Sequence, residues 1–251
     1  MQNFCLLKKY CFLLVMFCVC HSIVSYAQKN FGPTLPEPMV FDLVRPLGAE
    51  KGEIEFNTLA IFPLRRKGQY NVHWAPEIEW AFADGYGIEL ELPMVNGQIE
   101  AYKLAFQGTF KNPGARSFIH GWQWLSEYIV EEQIKEFNLL YIAGREFSNG
   151  YSFLGMIGAR HNLYFGDVER RSSSDWDILF NGSFNRKLSE TFVLSLEANY
   201  GYLIGLGHDL RLTLQVHYRI SDFLYVQGGI GYEWYLNVRQ PIFATRVIFE
   251  F

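Results

Sequence analysis

Acidic residues recur at alternate positions in two neighbouring stretches of the chain. They are Glu77, Glu79, Glu89 and Glu91. In an extended strand, residues i and i+2 project from the same face, so these four carboxylates are expected on one face of a hairpin. Four like charges on adjacent strands repel one another unless water, counterions or basic side chains screen them. Lys103 is the one base that the sequence places nearby, which favours a hydrated surface.

Charged residues at alternating positions continue into the second half of the chain, where their signs are mixed. They are Glu197, Asp209, Arg211, Arg219, Glu233 and Arg246. Four of them (Glu197, Arg211, Glu233 and Arg246) fall on consecutive strands and are predicted to pair across the sheet. The four ladder carboxylates, Lys103 and these six residues of the second half are all candidate lining residues of an enclosed polar interior. Two interpretations stay open: a narrow aqueous pore with a transverse field that selects small polar solutes, or structural ion pairs that fill the interior.

The histidines do not form a recognisable catalytic or metal site. His73, His120, His161 and His217 have no serine at the spacing of a nucleophile and its base. No two histidines or carboxylates recur at metal-ligand spacing outside the simple alternation. The sequence therefore predicts no catalytic residue, no metal and no cofactor, and it assigns His120 and His161 to an aromatic belt or to hydrogen bonds.

Segments with strict alternation must position the charged side chains. In the segment 208–219, apolar or aromatic residues from Leu210 to Tyr218 alternate with polar ones. Most such segments are near the roughly 9–11 residues that a tilted strand needs to cross a bilayer. The predicted strands are residues 53–62, 70–82, 87–94, 99–110, 118–130, 136–146, 151–163, 176–186, 191–203, 208–219, 223–235 and 240–251. This pattern predicts an all-β fold, a transmembrane antiparallel up-and-down β-barrel of about 12 strands.

The first 52 residues are predicted to lie outside the barrel wall. Residues 1–27 have Lys8 and Lys9 before a short apolar run and small residues before position 28, which is typical of a cleaved signal peptide. Residues 28–52 contain four prolines and no periodicity, and we interpret them as an N-terminal periplasmic extension rather than a strand. The barrel domain is then predicted over residues 53–251. Whether the extension plugs the barrel stays open.

Composition excludes several classes of protein. All four cysteines lie in the predicted leader, so disulfides, zinc thiolates and a thiol nucleophile are not expected in the mature chain. Removal of Lys8 and Lys9 leaves 20 basic against 26 acidic residues, a net charge of −6. A general nucleic-acid binder would need a basic face, so no nucleic-acid partner is expected.

The lengths of the connections between the predicted strands indicate which connections lie in the periplasm and which lie outside the cell. With both barrel ends in the periplasm, every second connection is periplasmic and usually short. Turn sequences on that side are residues 83–85, 148–150, 187–190 and 220–222. The longest connection, Tyr164–Asp175, falls on the extracellular side. Lys111–Ser117 is long for a periplasmic turn, so ten or fourteen strands remain alternatives.

The last predicted strand carries the most specific signal. Its outward face consists of Phe243, Thr245, Val247, Phe249 and the terminal Phe251. This ending resembles the terminal strand of bacterial outer-membrane proteins, in which the assembly machinery recognises a C-terminal aromatic residue with apolar partners at alternate positions. The resemblance implies a cell outer-membrane location, contact with outer-membrane lipids and lipopolysaccharide, and the barrel assembly machinery as a partner.

Three segments resemble a group of outer-membrane barrels described as candidate transporters, related to the proteins of the meta-pathway of phenol degradation. The segments are Ala75–Gly85, Ile88–Pro93 and Glu100–Gln107, about a third of the mature chain. The resemblance implies a channel-like role in the passive uptake of small solutes, aromatic compounds included. It transfers no binding residues.

The sequence also bears on two other functions, lipid hydrolysis and a non-conducting structural or surface-interaction role. Outer-membrane lipid hydrolases share a His-x-Ser-Asn stretch, whereas the nearest stretch here begins with Glu146 and continues to Ser148-Asn149-Gly150, which is typical of a hairpin turn. An enzyme is therefore not expected. A non-conducting structural or surface-interaction barrel would need long, adhesive extracellular loops, and only Tyr164–Asp175 is long enough.

Overall fold

The computed structural model describes residues 31–41, 43–64, 71–112, 116–165, 174–204, 207–235 and 238–251. Within them, twelve long strands form the wall of a closed antiparallel barrel, and two short strands form an added hairpin. The strands are β1 (Ile54–Pro63), β2 (His73–Ala83), β3 (Tyr86–Glu91), β4 (Met94–Val95), β5 (Gln98–Ile99), β6 (Ala101–Thr109), β7 (Phe118–Ile129), β8 (Ile134–Glu146), β9 (Tyr151–Tyr164), β10 (Ser174–Lys187), β11 (Phe192–Leu203), β12 (Gly207–Ser221), β13 (Leu224–Tyr235) and β14 (Val238–Glu250).

Pairing between the first and last strands closes the barrel. β1 pairs with β2 on one side and with β14 on the other, in a register that sets Phe56 opposite Phe249. Phe251 extends this seam, because its backbone N–H donates to the carbonyl of Ile54 at 2.8 Å. The predicted fold, an antiparallel barrel of twelve strands, is confirmed, and each of the twelve wall strands that the structure describes pairs with a neighbour on both sides.

The alternation of side chains separates the two faces of the wall as predicted. On β12, Thr213 and Gln215 are buried inside the barrel, whereas the side chains of Leu212 and Leu214 are exposed on the outside. A membrane barrel needs this arrangement, since apolar groups meet lipid and polar groups meet the interior. The same alternation therefore sets which charges face the lumen.

The connection between β3 and β6 differs from the prediction. The strands predicted at 87–94 and 99–110 are shorter, and the residues between them form the β4–β5 hairpin. Asn96 and Gly97 have φ values of 52° and 82°, which suit a tight two-residue turn. Pro93 has no N–H for the ladder, and its carbonyl instead accepts hydrogen bonds from the amides of Glu100 and Ala101.

The connections from β2 to β3, from β8 to β9, from β10 to β11 and from β12 to β13 lie at one end of the barrel, which we call the turn end. The stretch Ser148–Gly150 is a 3₁₀ turn with Asn149 at φ 64°, which confirms it as a turn. The other end is called the loop end. The long connection predicted there lies largely outside the described residues, at 166–173. Among the described residues, no helix has the length and apolar character needed to span a membrane.

The segment 31–49 is here called the plug, and its described residues, 31–41 and 43–49, lie inside the barrel and form no strand. The plug leaves the lumen at the turn end, where the Gly48 amide donates to Thr109 Oγ1 at 2.9 Å and the Ala49 carbonyl accepts from the Gly85 amide at 2.8 Å. Phe31, at its other end, lies against the same Gly85. Both ends of the plug are therefore at the turn end, and its tip, Met39–Phe41, reaches the middle of β11.

One side of the plug packs on an apolar part of the inner wall formed by β7, β8 and β9. Five plug side chains and five wall side chains form this cluster: Phe31, Leu35, Phe41, Leu43 and Leu47 with Ile119, Leu140, Ile142, Leu154 and Met156. All of them are buried. Apolar residues on an inward face would be unfavourable against water, so the plug supplies the surface that covers them.

Candidate functional site

Arg246 on β14 is the centre of a buried charged cluster on the inner wall. Its Nη2 donates to Glu77 Oε1 at 2.9 Å and lies 3.5 Å from Glu79 Oε1. Its Nη1 lies 2.8 Å from Glu37 Oε1, and its Nε donates to Asn57 Oδ1 at 3.1 Å. The guanidinium, only 2% exposed, thus joins β14, β1 and β2 to the plug.

Two more bases lie in the same acidic cluster. Arg45, from the plug, forms an ion pair with Glu55, and it lies 2.9 Å from Glu53 Oε2 and 3.9 Å from Glu79 Oε2 of the ladder. Lys103 forms ion pairs with Glu89, at 3.1 Å, and with Glu91. The four ladder carboxylates are buried, at 8% exposure or less, rather than lining open water.

The expectation that Lys103 is the one base near the ladder is therefore wrong. Arg246 is 169 residues from Glu77 in sequence, and closure of the barrel places β14 next to β1 and so close to β2. Arg45 comes from the plug, which the alternation of the strands does not describe. The ladder is consequently an ion-paired cluster in this state of the protein.

The predicted cross-strand pairing in the second half is correct for one pair. Arg211 and Glu233 are direct partners on β12 and β13, with Nη2 and Oε1 2.5 Å apart. Glu197 and Arg246 do not join them. Arg246 turns to the carboxylates across the seam, and Glu197 bonds to the plug.

Glu197 accepts five hydrogen bonds although its side chain is fully buried. Three come from consecutive backbone amides at the tip of the plug: Met39 at 3.0 Å, Val40 at 3.1 Å and Phe41 at 2.6 Å. Gln215 Nε2 donates at 2.6 Å and Asn199 Nδ2 at 2.9 Å. Within the described residues, no basic side chain forms an ion pair with Glu197.

A cavity of about 550 Å³ opens at the loop end of the lumen. Its wall is formed mainly by β10 to β14, and its charged and amide lining includes His73, Glu100, Glu132, Asn181, Asn199, Asp209, Arg211, Glu233 and Gln240. Three of the predicted lining residues, Asp209, Arg211 and Glu233, therefore face this cavity.

A second cavity, of about 600 Å³, lies at the turn end between the plug and the same part of the wall. Its lining includes the plug residues Thr34–Glu37 and Arg45–Ala49, and the wall residues Lys187, Val193, His217, Arg219, Gln227 and Glu250. Arg219 is the predicted lining residue found here. A smaller cavity of about 190 Å³ touches Glu77, Glu91, Lys103 and Arg246 beside the plug tip, whereas Glu79, Glu89 and Glu197 line none of these three cavities.

The two large cavities occupy the same strands at different depths. On β11, Val193 lines the turn-end cavity and Asn199 the loop-end cavity, and the inward residues between them are Ser195 and Glu197. On β12, the corresponding inward residues between the cavities are Thr213 and Gln215. Two inward positions occupy four residues of a strand, so the length of wall between the two cavities is about 14 Å. The tip of the plug fills the lumen at this level.

Small residues on β13 make room for the plug tip. Gly229 and Gly231 occupy the two inward positions of β13 between the cavities. A Cβ atom at Gly229 would lie 2.9 Å from Cε of Met39, so a larger residue would collide with the plug there. The alternation of the strand does not indicate this role, because glycine has no side chain that would mark it as polar or apolar.

Two groups of carboxylates lie close enough together to be considered as metal ligands. They are Glu37, Glu55 and Glu79, and Glu77, Glu79 and Glu89, with one oxygen of each within 4.8 Å of the others in the group. Arg246 and Arg45 lie in the same cluster, and their positive charges disfavour an added cation.

The predicted terminal signal residues face outward on β14. Phe243, Phe249 and Phe251 are 40%, 39% and 58% exposed, respectively. Phe251 and Phe56 form an edge-to-face pair across the seam, with ring centroids 6.0 Å apart. These rings are available to lipid or to a protein partner on the outside of the barrel.

Comparisons with known proteins agree with this architecture. A family model described as HAEPLYID-like matches residues 34–149, from the plug to the turn after β8. No curated protein sequence matches the chain. The NanC porin is a similar solved structure, with a TM-score of 0.63 and 9% identity over 78% of this chain and 98% of that chain.

The KdgM porin has a TM-score of 0.59 and 11% identity, and the match covers 78% of this chain and 99% of that one. A KdgM porin in complex with disordered oligogalacturonate has a TM-score of 0.58 and 12% identity over 79% and 99% of the two chains. At these identities the likeness concerns the fold alone. The chain thus has the fold of outer-membrane porins.

Proposed function

We propose that this protein is an outer-membrane channel for the passive uptake of small polar solutes. The observation that carries the proposal is the pair of large cavities at opposite ends of one stretch of inner wall, on β11, β12 and β13, both of which include charged and amide side chains in their lining. A barrel that served only as a scaffold would not need two such cavities on the same strands. The porin fold supports the proposal, and the plug closes the passage in the state described here.

The loop-end cavity favours cations weakly over anions. Glu100, Glu132, Asp209 and Glu233 face it, against Arg211 and His73. Acidic residues at a pore entrance raise the local concentration of cations. The proposed cation preference therefore rests on these four acidic residues and not on the ion-paired ladder.

Planar-bilayer recording of the refolded mature chain tests the channel proposal. We expect discrete conductance steps, and in a salt gradient a reversal potential shifted toward that of the cation. A variant with Glu100→Gln and Glu132→Gln is expected to reduce the shift without changing folding. Absence of steps in the full chain and in a chain that lacks residues 31–49 contradicts the proposal.

The resemblance of the sequence to the phenol meta-pathway group adds a finer proposal, that the solutes include small aromatic compounds. Only the quoted segments support it. Liposomes that contain the protein are expected to admit small phenolic compounds faster than empty liposomes. Equal rates contradict this finer proposal and leave the channel proposal standing.

A non-conducting structural barrel is the second candidate. The buried ion pairs of Arg246, Arg45 and Lys103 and the plug on β7–β9 would suit a filled barrel. This candidate predicts that removal of the plug lowers stability and opens no conductance. It is therefore tested by the same recordings.

We also propose that residues 1–27 are a cleaved signal peptide and that Phe243, Val247, Phe249 and Phe251 form an assembly signal read by the barrel assembly machinery. The outward position of these rings supports the second proposal. Deletion of Phe251 is expected to lower the yield of protein in the outer membrane and to leave chains in the periplasm. Replacement of the equally exposed Phe223 by alanine is the control, and equal yields for both variants contradict the signal.

A further inference from the structure

We propose that Glu197 is the latch of a gate whose moving part is the plug tip, Met39–Phe41. The inference rests on the proposed channel and concerns its regulation. In the closed state the carboxylate of Glu197 holds three consecutive backbone amides of the plug. In the open state these bonds are broken, the tip moves away from the β11–β13 wall, and the two large cavities join.

The position of the latch supports this assignment. Glu197 and Gln215 are among the inward residues that separate the turn-end cavity from the loop-end cavity. Gln215 Nε2 bonds to both Glu197 Oε2 and Thr213 Oγ1, so the wall side of the latch is held in place by its own strand neighbours. A displacement of the tip alone would therefore connect the cavities without any change in the wall.

The chemistry of the latch makes it reversible. A buried carboxylate needs donors, and here backbone and amide N–H groups supply them all. When the tip withdraws, Asn199 and Gln215 remain as partners, and water from the adjoining cavities can replace the three plug amides. Glu197 is thus satisfied in both states. A salt bridge at the same place would leave one partner unpaired after opening.

Apolar contacts limit the movement of the tip to a pivot. Phe41, the last residue of the tip, and Leu43 belong to the apolar cluster on β7–β9, and Met39 belongs to a second buried apolar cluster with Ile242 and Ala244 of β14. The segment also forms few backbone bonds of its own, of which the Ala49–Pro46 bond is one. A loop that is anchored on its apolar side and forms few backbone bonds can pivot about that side, and the polar groups that then leave Glu197 are the backbone amides of Met39, Val40 and Phe41.

The test is single-channel recording of the full mature chain with Glu197→Ala. The expected result is at least a roughly tenfold rise in open probability, because hydrogen bonds to a charged group are lost. Glu136→Gln is the matched control, since Glu136 is an inward carboxylate paired with Arg160 at 3.4 Å and distant from the plug contacts. Its open probability is expected to equal that of the unmodified chain.

A second variant removes a hydrogen bond of the latch by a change in the plug and not in the wall. Val40→Pro removes one of the three amide donors and leaves every wall residue unchanged. Val40→Ala is its control, because it shortens the same side chain but keeps the N–H. We expect increased opening for Val40→Pro and near-normal opening for Val40→Ala.

Amide hydrogen exchange gives a readout that does not depend on conduction. In Glu197→Ala the amides of Met39, Val40 and Phe41 are expected to lose protection, while those of β11 keep theirs. Unchanged protection and unchanged opening in Glu197→Ala and Val40→Pro overturn the latch. If a chain without residues 31–49 conducts in that case, the channel proposal survives, and if it does not conduct, both proposals fail.

Discussion

The two sides of the lumen differ in what they offer to the plug. The β7–β9 side presents apolar side chains such as Ile119, Ile142 and Leu154, which the plug covers. The side from β10 to β14 presents amides and charges beside fewer apolar residues, such as Ile242 and Ala244, and it leaves two cavities beside the plug. On the outside both sides look alike, since lipid imposes the same apolar alternation on each. The inner face alone therefore separates an anchoring surface from a passage.

The largest expected effect comes from Arg246, which connects the polar side to the plug. Arg246→Met leaves Glu37 and Glu77 buried without their guanidinium, and loss of one partner of a buried pair costs about 3–5 kcal/mol. The thermal unfolding midpoint, followed by heat-dependent gel mobility, is expected to fall. Arg211→Met is the control, because the Arg211–Glu233 pair is partly exposed and contributes about 1 kcal/mol or less. An equal fall of the unfolding midpoint in the two variants would show that the buried cluster around Arg246 stabilises the protein no more than the Arg211–Glu233 pair in the cavity lining does.

A smaller effect is expected on the apolar side. Leu43 is 1% exposed, so Leu43→Ala leaves a cavity in the anchoring cluster and costs about 2–5 kcal/mol of plug binding. Limited proteolysis is expected to cut residues 31–49 faster in this variant than in Thr34→Ala, which changes an exposed plug residue. Identical cleavage rates would mean that the polar contacts alone hold the plug.

The plug is also expected to respond to pH through Glu37. Burial, followed by the nearby carboxylates Glu55 and Glu250, raises the pKa of Glu37 from 4.5 to about 8, although Arg246 and Arg45 oppose the shift. Because the pKa is raised, the protonated carboxyl of Glu37 favours the plugged state. This stabilisation is complete below pH 4.5 and is lost as the pH rises through about 8. Opening should increase between pH 4.5 and about pH 8 and then level off, and Glu37→Gln should flatten the profile. A profile that is unchanged in Glu37→Gln assigns the response to another group.

The smallest effect on the protein is expected from single cysteine substitutions used for chemical labelling. They can be interpreted because residues 28–251 contain no cysteine. Cysteine at Asn199, in the loop-end cavity, is expected to react with a hydrophilic, membrane-impermeant thiol reagent added to intact cells. Cysteine at Ile142, under the plug, is expected to stay unmodified. Reaction of both would show that the anchoring side is as accessible as the passage.

The sequence predicts the wall well, because a half-buried strand has a period of two and each predicted segment shows it. It predicts the inner network poorly. Arg246 meets Glu77 only through closure of the barrel, although the neighbourhood of the first and last strands could have indicated it. The plug was recognised as strandless from its prolines, but its contacts with Glu197 span 156 to 158 residues. Apolar residues on both faces of β8 and β9 were the signal that something covers their inner side.

The seam between β1 and β14 has a consequence for the order of folding. The plug is made before any strand, yet Arg246 Nη1 reaches the Pro38 carbonyl across 208 residues. Contacts this distant in sequence pay a large loop-closure cost and form late. The plug therefore cannot reach its final position until β14 has paired with β1. A barrel in which these two strands are not yet paired would have a protease-sensitive plug. Resistance of the plug to protease would therefore identify chains whose assembly is complete.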